Sequence, residues 1–134
     1  MLTTALHFND GKCEDALKFY LEIFNTKDTG IHRYGDMQQG DNLSVEHKKY
    51  IAHSEITVYG QKLMLSDCYP GESISIGENF SLSINTTDLA ELERVYNKLS
   101  QTANIIMPLA ATEWSKAYAM IKDKFGIIWQ FNLD

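Results

Sequence analysis

ENFSLSINTTDLAELERVYNKLS, residues 78–100, changes its period midway. Phe80, Leu82 and Ile84 alternate with Asn79, Ser81, Ser83 and Asn85, the pattern of a strand with one buried face. From there the apolar side chains fall at Leu89, Leu92, Val95, Tyr96 and Leu99, the spacing of a half-buried helix. Thr87 or Asp88 stands where a helix cap belongs. The front of the chain is written in the same order. TTALHFND, residues 3–10, sets Ala5 and His7 against Leu6 and Phe8. GKCEDALKFYLEIF, residues 11–24, then places Ala16, Leu17, Tyr20, Leu21 and Phe24 at helical spacing, with Asn9 or Asp10 as the expected cap and Glu14 and Asp15 in the first turn.

Each helix is followed by three strand-like runs. They cover about residues 29–35, 50–59 and 61–67 in the first copy, and about 104–110, 117–123 and 127–133 in the second. Tyr59-Gly60 before QKLMLSD matches Phe125-Gly126 before IIWQFNL, and the two glycines are 126 − 60 = 66 positions apart. Glycine there admits the positive φ that a tight hairpin requires. The chain therefore reads as an internal repeat, strand-helix-strand-strand-strand, with modules at about 1–68 and 77–134 of a single domain.

One helix covers one face of its sheet. Alternation places Leu6, Phe8, Ile56, Val58, Leu63, Leu65, Phe80, Leu82, Ile84, Ile127, Trp129 and Phe131 under the helices. Opposite them fall Ala5, His7, His53, Glu55, Thr57, Met64, Asn79, Ser81, Ser83, Ile128, Gln130 and Asn132, a mostly polar set. Such a set suits a curved sheet around a hydrated cavity or small ligand better than a second packed core.

Bulk properties narrow the partners. Eighteen acidic against twelve basic residues give a charge of −6, with the basic residues scattered, so attraction to nucleic acid or anionic lipid is not expected. No apolar run approaches a membrane span. Cys13 and Cys68 are far apart and form no C-x-x-C pair, and no leader-like run precedes the first strand, so a reduced, cytoplasmic setting is expected.

LHFNDGKCEDALKFYLEIFN, AHSEITVYGQKLMLSD and MPLAATEWSKAYAMIKDKFGIIWQFN resemble, in order, the opening, central hairpin and closing segment of the PhnB-like branch of the vicinal oxygen chelate superfamily. That branch also carries the label 3-demethylubiquinone 3-methyltransferase-like. The superfamily includes glyoxalase I, extradiol dioxygenases, and fosfomycin and bleomycin resistance proteins. The resemblance implies an α+β chain in which two fused βαβββ modules form a curved, open-faced sheet cavity, the glyoxalase/bleomycin resistance fold, and it implies a homodimer. In the metal-using members one side chain from the first and one from the last strand of each module hold a divalent cation. The matching positions are Ala5, Met64, Asn79 and Gln130, an apolar group, a thioether and two amides. Such cations favour imidazole or carboxylate, so no metal and no cofactor are expected at this quartet.

The expected ligand-binding residues are His7, His53, Glu55, Met64, Asn79, Trp114, Tyr118 and Gln130. His53, Asn79 and Gln130 would hydrogen-bond a small organic molecule; Met64, Trp114 and Tyr118 would pack on it. Two readings of His53 and Glu55 stay open. They could form a displaced metal site with His7, or a hydrogen-bonded pair that orients His53. Trp114 could wall a ligand or anchor a dimer interface or hairpin. His32 and His47 lie in or beside the polar stretch 36–49 and are expected to be solvated. A methyl-donor nucleotide would call for a glycine-rich strand-helix turn, yet NDGKCED has one glycine and NTTDLAE none. Two functions follow: a metal-free binding protein, or an enzyme of the superfamily's lyase, transferase or dioxygenase types that uses a non-standard metal site or His53 as general base with Glu55 orienting it.

Overall fold

The computed structural model describes residues 1–134, apart from the side chain of Thr29. It divides into two compact units, Met1–Ser75 and Ile76–Asp134.

In the first unit β1 (Thr4–Phe8) leads through α1 (Cys13–Ile23) to β2 (Asp28–Arg33). Two 3-10 turns (Tyr34–Asp36 and Gln38–Gly40) and the one-turn α2 (Val45–Lys48) follow, then β3 (Ile51–Val58) and β4 (Gln61–Asp67). The sheet order is β1-β4-β3-β2, with β1 parallel to β4 and the other pairs antiparallel. Leu6, Phe8, Ile56, Leu63 and Leu65 are buried on the sheet side, and Ala16, Leu17, Tyr20 and Ile23 on the helix side. Each large member contributes about 1.5–3 kcal/mol through removal from water.

The second unit repeats the wiring. β5 (Leu82–Thr86), α3 (Leu89–Ser100), β6 (Asn104–Ala110), β7 (Tyr118–Lys122) and β8 (Ile128–Leu133) form a sheet of order β5-β8-β7-β6, again with the outer pair β5-β8 parallel. Ile84, Leu92, Val95, Leu99, Ile121, Trp129 and Phe131 make its core. The predicted βαβββ repeat is therefore the observed architecture. Among the described residues no helix is long and apolar enough to cross a membrane.

Local details differ from the sequence reading. Neither Asn9 nor Asp10 caps α1: its N-cap is Lys12, without a side-chain bond, and the carboxylate of Asp67 reaches from β4 to accept from Cys13 N at 2.9 Å. Asn9 instead clasps the backbone of Ile74, accepting from its N–H and donating to its carbonyl. α3 is capped by Asp88, which accepts from Glu91 N at 3.2 Å. The chain bends at Glu78 and Asn79 and pairs with β8 only from Leu82. Phe80 consequently escapes strand alternation and is 66% exposed rather than under α3. Ile128, expected on the face away from α3, is buried.

The two hairpins also part company. β3 and β4 are joined by Tyr59 and Gly60, both at positive φ (49° and 77°), the backbone of a two-residue turn. The β7-β8 turn is longer, and Gly126 is its positive-φ residue, at 87°.

Candidate functional site

The face of the first sheet turned away from α1 carries the ionisable groups. His7 on β1 is paired with Ser66 on β4, and its Nδ1 lies 2.9 Å from Ser66 Oγ. Ser54 opposes Leu65 across β3-β4, so the same register continued by one residue sets His53 opposite Ser66. His53 is paired in turn with His32 on β2, their rings 6.4 Å apart and 27° from parallel. One row across the sheet thus reads His7, Ser66, His53, His32. The next row reads Ala5, Met64, Glu55. Within β3, His53 Nε2 donates to Glu55 Oε1 at 3.1 Å, and Lys62 Nζ lies 3.4 Å from the other carboxylate oxygen.

This arrangement sorts the expected residues. His53 and Glu55 do meet. His7 is separated from His53 by β4, which puts their backbones about 9–10 Å apart at strand spacing. His32, expected to be solvated, is exposed but belongs to β2 and faces His53. Alternation hinted at it, since His32 lies within the predicted 29–35 strand. Its partner could not be read, because the β2-β3 register carries irregularities on either side of that pair.

The corresponding face of the second sheet is mostly uncharged, apart from Lys122 on β7, whose Nζ lies 3.1 Å from Glu78 Oε1. Gln130 on β8 sits between two hydroxyls: Tyr118 Oη donates to its Oε1 at 2.7 Å, and its Nε2 donates to Ser81 Oγ at 2.7 Å. Trp114 meets the Tyr118 ring edge-on at 5.5 Å and is 67% exposed. The chain Trp114, Tyr118, Gln130, Ser81 runs from the β6-β7 loop across β7 and β8 to the start of β5. Beside it, residues 111–116 with Leu133 and Asp134 line an open pocket of about 390 Å³. Ser81 stands in the sequence only as one of the polar residues of this face. Asn79, proposed for this face, lies in the bend before β5 and is exposed, and Ser81 rather than Asn79 reaches Gln130.

Of the quartet, Ala5 and Met64 are direct cross-strand partners, Gln130 is committed to its hydroxyls, and Asn79 is off the strand. None supplies an imidazole or carboxylate. Among the described residues no three His, Cys, Asp or Glu side chains come together as a metal-holding group.

Of the two thiols, Cys13 is buried and Cys68 half-buried. Burial, reinforced by the neighbouring Asp67, pushes Cys13 up to about 12, so it is no nucleophile at neutral pH. Burial also raises Cys68. Asp67 itself is raised by burial even though Ile51 N and Cys13 N both donate to it.

The sequence model of the family described as 3-demethylubiquinone-9 3-methyltransferase matches residues 1–132. A Bacillus cereus structure described as a putative 3-demethylubiquinone-9 3-methyltransferase, PhnB protein, is 30% identical, covers 99% of this chain and 98% of its own, and superposes with a TM-score of 0.83. Protein PA1353 of Pseudomonas aeruginosa is 27% identical, with 100% and 98% coverage and a TM-score of 0.83. The fosfomycin resistance protein FosX of Mesorhizobium loti, at 8% identity, 100% and 90% coverage and a TM-score of 0.63, is alike in fold.

Proposed function

This chain belongs to the 3-demethylubiquinone-9 3-methyltransferase family, of the glyoxalase/bleomycin resistance fold, and from that premise we propose that it binds a small organic molecule without a metal at the quartet. The observation that carries this reading is the Trp114-Tyr118-Gln130-Ser81 chain. An amide tied at both ends is held in one orientation before a ligand arrives, so little ordering is lost on binding. At the other end of the chain the exposed indole of Trp114 offers a flat apolar wall and lines the open pocket.

The family's description does not carry methyl transfer to this chain. The glycine of the β1-α1 turn, Gly11, has a packing reason: a Cβ there would stand 2.5 Å from the Tyr50 ring. Fold and family are poor guides to chemistry where the site residues differ.

Screening by thermal melting tests the proposal, because a ligand that binds only the folded state raises the melting temperature. A hit should lose about five- to tenfold in affinity in Gln130→Leu and in Tyr118→Phe, the value of one hydrogen bond each. Hits indifferent to both substitutions would place the site elsewhere.

A second reading has its own observation. The 3.1 Å bond from His53 to Glu55 fixes the imidazole tautomer and would leave Nδ1 as a general base. His53→Ala would then abolish turnover of a bound compound while leaving its affinity unchanged. A homodimer in the cytoplasm, without nucleic acid or membrane as partner, completes the proposal. Exposed Ile105, Ile106 and Met107 on edge strand β6 support self-association, and the two free cysteines support a reduced setting.

A further inference from the structure

We propose that His32 and His53 form a binding site for a divalent cation of the Cu2+, Ni2+ or Zn2+ class, with Glu55 as its supporting carboxylate. The site is distinct from the quartet and from the Trp114-Gln130 chain, and it needs no organic ligand.

Three observations carry it. First, the two histidines are direct partners on neighbouring antiparallel strands, so both side chains project from the same face, and the ring contact shows that they meet. Two imidazoles that share one cation at about 2.0–2.1 Å per bond have ring centres roughly 5–6.5 Å apart over tetrahedral to linear angles. The observed 6.4 Å is within that span. Second, Glu55 holds His53 by Nε2. A carboxylate only accepts, so Nε2 carries the proton and Nδ1 presents the lone pair to the cation. A metal-bound imidazole whose other nitrogen donates to a carboxylate is oriented and made more basic by it. Third, the surroundings fit a cation held by two nitrogens and completed by water. His32 is exposed, the His53 side chain is 41% exposed, and Lys62 Nζ lies 3.4 Å from the other oxygen of Glu55. Imidazole selects Cu2+, Ni2+ and Zn2+ over Mg2+ and Ca2+, which prefer oxygen donors.

The test uses the whole chain, stripped with a chelator, and Ni2+ as probe in a calorimetric titration. One ion should bind per chain, and none in His32→Ala or His53→Ala. Glu55→Gln should bind about ten- to a hundredfold more weakly, the usual loss of a supporting carboxylate. His7→Ala and His47→Ala should bind as the parent does. With Cu2+, the paramagnetic resonance spectrum should show coupling to two nitrogens. If either alanine variant melts early, His32→Gln carries the test, since position 32 is exposed on an edge strand. Uptake that survives loss of His32, uptake lost with His7 or His47, or no uptake by the parent chain would overturn the proposal.

Discussion

Each unit buries one carboxylate, and the two stand at non-equivalent places in the repeat. Asp67 closes β4 of the first unit and Asp123 follows β7 of the second; they are 3% and 4% exposed. Shifted by the repeat length of 66, Asp67 would fall on Leu133 and Asp123 on Thr57. The difference follows from what each copy lacks. α1 begins with no side-chain cap, so Asp67 supplies one from the sheet and takes Ile51 N as well. α3 carries its own cap in Asp88 and needs no such acceptor from the sheet. The first hairpin turns in two residues, whereas the second is longer and is built around Asp123, which accepts from Phe125 N, Ile127 N and Trp129 Nε1. A repeat conserves its wiring, and each copy satisfies its leftover backbone groups with whatever acid its own loops bring near.

The sharpest test of this contrast is Asp123→Ala. Three donors lose their acceptor, at about 1–3 kcal/mol for each that stays buried, so a loss of about 3–5 kcal/mol in urea unfolding is expected. A loss under about 1 kcal/mol would mean that water reaches the turn and that the carboxylate does not organise it.

Next come the two helix starts. Asp67→Asn keeps one accepting oxygen but turns an N–H toward a second N–H, an expected loss of about 1–3 kcal/mol, while Asp88→Ala removes an ordinary cap for about 1 kcal/mol. Equal losses would erase the distinction between a cap borrowed from the sheet and a local one. Asp67 also has a pH signature. Burial raises its pKa in the folded protein, so its contribution is greatest below the ordinary 3.8 and falls as pH rises through the raised value. The gap in stability between the parent and Asp67→Asn should therefore narrow from acid toward neutral pH.

The smallest effect has the opposite sign. Arg33 donates to Glu14 at 2.8 Å, and this hydrogen bond holds the Glu14 carboxyl below its ordinary 4.5. The stabilisation is present above 4.5 and is lost as pH falls through the depressed value. Glu14→Gln should lower the melting temperature slightly at neutral pH and not at all in strong acid. Melting curves that stay parallel across this range would show that the pair contributes nothing, as exposed pairs often do.

The architecture was legible because period and repeat point the same way. Leu82 and Ile84 alternate, Leu92, Val95 and Leu99 recur at helical spacing, and the same plan stands 66 residues earlier. The candidate site was legible only in part. Gln130, Tyr118, His53 and Glu55 follow from strand alternation, which fixes a face. Ser81, His32 and the cap on α1 depend on which strand lies beside which and in what register. Those distances span up to 54 positions, as from Cys13 to Asp67, where local pattern is silent. Asn79 lies off the expected strand for a related reason: alternation continues through it in the sequence, but the backbone bends before pairing begins at Leu82.

Both tryptophans lie in residues 76–134, one shielded with its N–H on Asp123, the other open to solvent. Intrinsic emission is therefore the sum of a blue and a red fluorophore from the same half of the chain, and it is blind to the other half. Far-ultraviolet ellipticity weighs both halves. Superimposable denaturation curves from the two spectroscopies would mean that the copies melt as one cooperative body; a split would time their separate collapse.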